Sequence, residues 1–324
     1  LLFGGGATTE EGAAVQLDAV HTVYDDGRHN AFTDLQRWRS AWWVTFRNGT
    51  DHGSPDGDVL VLRSEDVENW ETTVRLDTGL DDRDPKLLAT DDTLFCYFAN
   101  RQDGIFHSQV ATTTDGRAWT EPLPIYEERV WLWRPRHAGG RFWCAAYAVP
   151  EHRDRSTWYV DLLTSTDGVA WEKQSTVARE NCPNECDLWT DQDKMMHVIS
   201  RREDGPRTAL LAEAPPPYGE WQHTDLEVTV QAPVVLPEGA GVWIAGRGIE
   251  GGAARTMLWR LADGVVHHAL TLPSGGDTSY PGLLRDGERL LMSYYSEHES
   301  MSDEGYKAGH GPSRIYLAEI PIAE

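Results

Sequence analysis

The sequence predicts an all-β fold, a six-bladed β-propeller, and three observations carry that expectation. First, a seven-residue pattern, Ser/Thr-x-Asp-x-x-x-Trp, occupies residues 64–70, 113–119 and 165–171. A degraded fourth copy ends at Trp221, after Pro215-Pro216-Pro217-Tyr218, so successive Trp residues lie 49, 52 and 50 positions apart. A fixed period of about 50 residues matches one propeller blade. Second, apolar strand-like runs recur at 41–46, 94–98, 141–145, 195–199, 241–245 and 290–294, which gives six units. Third, 14 Trp, 30 Gly and 17 Pro favour short strands and frequent turns over long helices.

Taken in order, residues 1–15 contain Gly4-Gly5-Gly6 and read as a flexible tail. Residues 16–324 read as one propeller domain, because no linker interrupts the repeat. Within each copy of the pattern, Asp66, Asp115 or Asp167 is expected to accept hydrogen bonds from turn amides. Gly116 and Gly168 would take the left-handed backbone position, and the Trp would pack back on the sheet. The last strand, at 314–318, would complete the final sheet.

Composition bounds the function. Fifty-two acidic against 29 basic residues give a net charge of −23, which repels nucleic acid and anionic lipid. No apolar run approaches the ~20 residues that span a bilayer. Cys96 and Cys144 lie in apolar strands and read as buried thiols. Cys182 and Cys186 flank Pro183-Asn184-Glu185, as free thiols or as a local disulfide. No second Cys pair, His-x-x-x-His pattern or Gly-rich phosphate loop calls for a metal or cofactor. The chain opens without Met and with no complete signal peptide visible, which leaves cytoplasmic and secreted locations both open.

The repeat resembles the Asp box of the sialidase (neuraminidase) superfamily. Three further segments resemble that family. Asn184-Glu185-Cys186-Asp187 is followed sixteen residues after Glu185 by Arg201-Arg202; Ala245-Gly246-Arg247 stands in the fifth unit; and Ser279-Tyr280-Pro281-Gly282 leads to the sixth core strand and Tyr295. The resemblance implies a hydrolase of a terminal, acidic sugar acting with retention, Tyr280 as nucleophile and Glu185 as its base. It also implies arginines that grip the sugar carboxylate: Arg247, Arg201 or its neighbour Arg202, and Arg134 of the third unit. Strand alternation lets only one of Arg201 and Arg202 face the centre, and Arg201 is preferred. The partner would be a glycan.

The chain also departs from the family. Ala31 falls where a first-blade Arg belongs, with Arg28, Arg47 or Arg134 as substitutes. For the general acid, the loop before the first repeat offers Asp51, or His52 instead. A second resemblance is to five-bladed furanosidases of the invertase type, through Asp82-Arg83-Asp84-Pro85-Lys86 and Glu185-Cys186. It implies Asp34 as nucleophile, Asp84 as transition-state stabiliser and Glu185 as acid/base, and it turns Asp84 and Lys86 toward the central cavity. His298 is a candidate for the rim. A non-catalytic carbohydrate-binding propeller and a polysaccharide lyase using Tyr280 with His52 or His298 remain the other classes.

Overall fold

The structure, a computed structural model, describes residues 15–322. The expected tail therefore falls almost wholly outside the described residues. Six antiparallel sheets succeed one another along the chain, each beginning with an inner strand: His29–Trp38, Asp81–Ala89, Val130–Trp131, Pro183–Thr190, Gln231–Glu238 and Thr278–Asp286. Each later strand pairs with the one before it. In blade 3 the inner strand breaks after Trp131 and resumes as Arg136–Ala138 on the same neighbour, Arg141–Ala148. Blade 6 draws its outer strand, Ala19–Tyr24, from the other end of the chain, paired with Arg314–Pro321. The only helical turn among the described residues is Arg155–Thr157.

The three Ser/Thr-x-Asp-x-x-x-Trp segments close the hairpin between the third and fourth strands of blades 1 to 3. In blade 3, Asp167 Oδ1 accepts from the amides of Val169 and Ala170, both at 2.8 Å. Ser165 Oγ accepts from Gly168 N at 2.9 Å, and Trp171 Nε1 donates to Gly168 O at 3.1 Å. Asp66 and Asp115 make the same pairs of bonds. The φ angles are 76° and 78° at Gly116 and Gly168; Val67 takes the equivalent place at 63°. Trp221 likewise stands just before a fourth strand, Gln222–Asp225. Cys96, Cys144, Cys182 and Cys186 are all free and buried.

The hub of the propeller has its own repeat. In five inner strands, two residues oppose one on the neighbouring strand: Phe32-Thr33, Asp84-Pro85, Glu185-Cys186, Ala232-Pro233 and Tyr280-Pro281. The first of each pair has a left-handed backbone, with φ of 62°, 53°, 26°, 50° and 49° respectively. A bulge of this kind re-aims a side chain and bends its strand. Five strands thus turn one residue each at the same level of the axis.

Candidate active site

Tyr280 and Glu185 come from bulges in blades 6 and 4 and meet there. Tyr280 Oη donates to Glu185 Oε1 at 2.6 Å. Each residue is 7% exposed, so the pair sits in a nearly dry recess. Glu185 Oε2 also receives Arg201 Nη1 at 2.8 Å and Ala232 N at 2.9 Å. Burial opposes ionisation of Glu185, but Arg201, the Tyr280 hydroxyl and Arg247 outweigh it and hold the carboxyl below its usual range. Burial, and then the Glu185 charge, push the Tyr280 phenol well up.

Aromatic rings wall the recess. Phe32 lies 4.9 Å from the Tyr280 ring, centroid to centroid, and Trp133 lies 5.6 Å from it. Arg247 stands over the Tyr280 ring at 5.2 Å and donates Nε to Thr278 O at 3.0 Å. Arg83 stands over Phe32 at 5.0 Å, with Nε 3.5 Å from Asp84 Oδ2. Three N–H groups here, Arg83 Nε, Arg201 Nε and Arg247 Nη2, are buried with no hydrogen-bond partner. Asp84 Oδ1 is also unpartnered, and burial raises that carboxyl above its usual range.

A third cluster lies beside Phe32. Asp277 accepts from His52 Nδ1 at 2.5 Å, His29 Nε2 at 3.1 Å and Tyr295 Oη at 2.7 Å. Burial opposes its charge, yet the two imidazoles and Arg247 hold its carboxyl well below the usual range. Tyr295 therefore supports Asp277 and is fully buried.

Beneath this level lies a sealed layer of charge. Asp34 takes Arg134 Nη1 at 2.5 Å and Leu87 N at 2.8 Å. Arg134 also donates to Pro281 O at 2.9 Å. Lys86 Nζ donates to Thr33 O at 3.2 Å and Pro85 O at 3.0 Å. Burial, then the Arg134 charge, bring Lys86 down to about 8. Asp34, Lys86 and Arg134 thus tie the inner strands together.

Other sequence candidates lie apart from the recess. Arg202 turns outward, to Thr208 O at 2.7 Å and to Asp225. His298 packs on Tyr316 at 5.1 Å, with Nδ1 on Ser296 Oγ. Asp51 accepts Gly53 N at 2.9 Å and faces His310 at 3.5 Å. Arg28 pairs with Asp56 at 2.6 Å on the exposed side. Arg47 is buried, bound to Asp81 at 2.9 Å and to the carbonyls of Asp51 and Ser54, both at 2.8 Å. Neither Arg28 nor Arg47 fills the place of Ala31, which is itself sealed, with the Phe32 ring beside it.

Sequence reasoning passed over Asp277, His29 and the cationic role of Arg83. Asp277 had a signal: it stands three residues before Tyr280, after Gly275-Gly276. Arg83 lay inside a segment already singled out.

No protein-family model matches the chain, and no curated protein is significantly similar to it. Solved structures share its fold at low identity. A phage phi92 endosialidase superposes with a TM-score of 0.68 at 10% identity, over 94% of this chain and 69% of that one. A Trypanosoma rangeli sialidase mutant displaying trans-sialidase activity gives 0.68 at 8%, over 94% of this chain. The present chain spans 57% of that protein's length. A mutant of an α-L-arabinofuranosidase from Fusarium graminearum, in complex with an iminosugar inhibitor, gives 0.70 at 12%, over 93% and 97% of the two chains. The propeller read from the sequence is the fold these neighbours share.

Proposed function

We propose that the protein is a glycoside hydrolase that removes a terminal acidic sugar with retention of configuration. Tyr280 is the nucleophile and Glu185 its base. The 2.6 Å bond between Tyr280 Oη and Glu185 Oε1 carries this reading. A phenol is a weak nucleophile near neutral pH and needs a base within hydrogen-bond reach. Glu185 takes the phenol proton as Tyr280 Oη bonds to the anomeric carbon. When water later attacks that carbon, the proton returns to the phenol oxygen. A phenol also meets an anionic sugar without the repulsion of a bare carboxylate.

The guanidinium groups of Arg83, Arg201 and Arg247 support a substrate carboxylate: Arg201 Nε is buried with no acceptor, and Arg83 Nε and Arg247 Nη2 have only long ion pairs, 3.5 Å to Asp84 and 3.6 Å to Asp277. A buried donor without an acceptor costs about 1–3 kcal/mol, which a bound anion relieves. The fold neighbours include a sialidase and an endosialidase, which agrees with an acidic sugar. A carboxylate nucleophile at Asp34 is disfavoured, because Arg134 and Leu87 N already occupy its oxygens.

The test is a screen of aryl glycosides, sialosides and uronides included. Tyr280→Phe is expected to lower turnover by about 1,000-fold or more, and Glu185→Gln by about 100- to 10,000-fold, with little change in melting temperature. Normal turnover in Tyr280→Phe would remove the nucleophile assignment. Release of products absorbing in the ultraviolet would indicate an eliminative reaction instead.

A further inference from the structure

We infer that His52, held by Asp277, is the proton donor to the departing group and the base for the incoming water. The inference rests on the hydrolase reading above and adds the residue that acts on the leaving-group side.

Three observations carry it. Asp277 is fixed as an anion, because its oxygens accept from His29, His52 and Tyr295. A carboxylate only accepts, so the His52 nitrogen facing it must bear the proton: Nδ1–H donates to Asp277 Oδ2 at 2.5 Å. The other ring nitrogen, Nε2, then points away from Asp277 as the exchangeable position. This is the tautomer control a carboxylate exerts on a catalytic imidazole. Second, the His52 side chain is 43% exposed while its partner Asp277 is buried, so the dyad runs from the interior to the open side of the recess. Third, the buried Phe32 ring packs against both the imidazole and the nucleophile, 5.0 Å from His52 and 4.9 Å from Tyr280 by centroids. The two groups thus stand one ring apart, within the span of a single sugar.

The surroundings fix this loop in place. His52 N donates to Gly309 O at 2.8 Å, and Arg83 Nη2 donates to His52 O at 3.3 Å. Arg47 holds the carbonyls of Asp51 and Ser54 from below. The charged and titratable groups around the imidazole are Asp277, His29 at 6.0 Å between centroids, Arg83, Asp84, and the Asp51–His310 pair next to it in the loop.

His29 Nε2, His52 Nδ1 and an Asp277 oxygen also lie within 4.8 Å of one another, close enough to share a metal ion. A metal-bound imidazole donates its second N–H to a partner. His29 Nδ1 is buried and has none. Tyr295 already occupies Asp277 Oδ1. The hydrogen-bonded dyad accounts for the cluster better.

The step balances. In the first half, the C–O bond to the departing alcohol breaks as the His52 imidazolium, protonated on both nitrogens, gives its Nε2 proton to that oxygen, and Tyr280 Oη forms the new bond while its proton passes to Glu185. In the second half, His52 Nε2 takes a proton from water, whose oxygen bonds to the anomeric carbon, and Glu185 returns its proton to the leaving Tyr280 oxygen. Water is the only co-reactant.

The experiment uses two probes, the 4-methylumbelliferyl and methyl glycosides of N-acetylneuraminic acid. The first has a good leaving group that departs with little protonation; the second needs a proton donor. His52→Ala is expected to lose about 100-fold or more on the methyl glycoside and less than about 10-fold on the umbelliferyl one. Tyr280→Phe should lose both alike. Equal losses on both probes in His52→Ala would overturn the donor role. Long-range proton–nitrogen NMR of histidine-labelled wild type should show His52 Nδ1 protonated throughout, with Nε2 as the nitrogen that gains and loses its proton, and Asp277→Asn should shift this; a neutral ring with its only proton on Nε2 overturns the dyad. Turnover abolished by a chelator and restored by a divalent cation would assign the cluster to a metal instead. Wild type silent on both probes and on the matching pair of uronides would defeat the hydrolase reading, and the donor role with it, even with Nδ1–H observed.

Discussion

Asp277 accepts from two imidazoles and a phenol, and its energetics follow from that. Its folded carboxyl is held well below the usual range, against the opposing cost of burial, by two imidazoles and Arg247. A carboxyl lowered by folding stabilises the protein above its unfolded value, near ~3.9, and that contribution fades as pH falls toward the folded value. Asp277→Asn is therefore expected to lower the melting temperature by several degrees at pH 7, with the gap closing below about pH 4. Calorimetry across that range is the check; a gap independent of pH would show that charge is not what Asp277 contributes. Asp82 shows the reverse sign. Burial raises it to about 7, so its stabilising protonated form is complete at low pH and lost as pH rises through 7. Asp82→Asn should thus gain stability relative to wild type at pH 8 but not at pH 4. Tyr280, Glu185, Arg201 and Arg247 were legible in short segments, because each is carried by a strand whose spacing repeats. Asp277 was not, because its meeting with His52 joins positions 225 residues apart and depends on how blades 1 and 6 abut.

At the scale of the element, two devices recur and only one was read from the sequence. The outer hairpin is local: its Asp, Gly and Trp lie within seven residues, so the pattern announces itself. Gly168 shows how tightly it is built. Its φ is +78°, and a Cβ there would lie 2.7 Å from Tyr97 Oη and 3.0 Å from Phe142. Gly168→Ala is expected to cost more than about 1 kcal/mol, measured by denaturant unfolding, because both backbone and space oppose it. The hub bulges were missed, although they left a mark. Three of the five bulges have Pro second, at Pro85, Pro233 and Pro281. Pro has no N–H to leave unpaired, so it suits the place where a ladder is interrupted. An x-Pro inside these three inner strands was thus the sequence sign of a side chain turned to the axis. Left-handed backbone at non-glycine residues costs of order 1–3 kcal/mol each, and here it recurs where the candidate chemistry is placed.

Taken whole, the molecule carries a charge of −23 and yet gathers the guanidinium groups of Arg83, Arg134, Arg201 and Arg247 at the centre. Self-repulsion of the surface opposes the compact state and is screened by salt. Raising sodium chloride from about 10 to 150 mM should raise the melting temperature by a few degrees. A fall would mean that favourable ion pairs outweigh the repulsion. Blade count and order were legible because periodicity is a property of the whole chain. The sealed layer of Asp34, Lys86 and Arg134, with Asp187 beside it, was not, since ionic contacts across the axis leave no spacing to read.

The strand Ala19–Tyr24 closes blade 6 on Arg314–Pro321, and that blade also bears Asp277, Tyr280 and Tyr295. During synthesis, five blades can be laid down while this ring is still open, and the earliest strand must wait for the latest. The pairing with the longest sequence separation is thus the one that completes the blade carrying Asp277 and Tyr280, and such pairings form slowly. The proposed turnover should therefore return last in refolding, after most secondary structure.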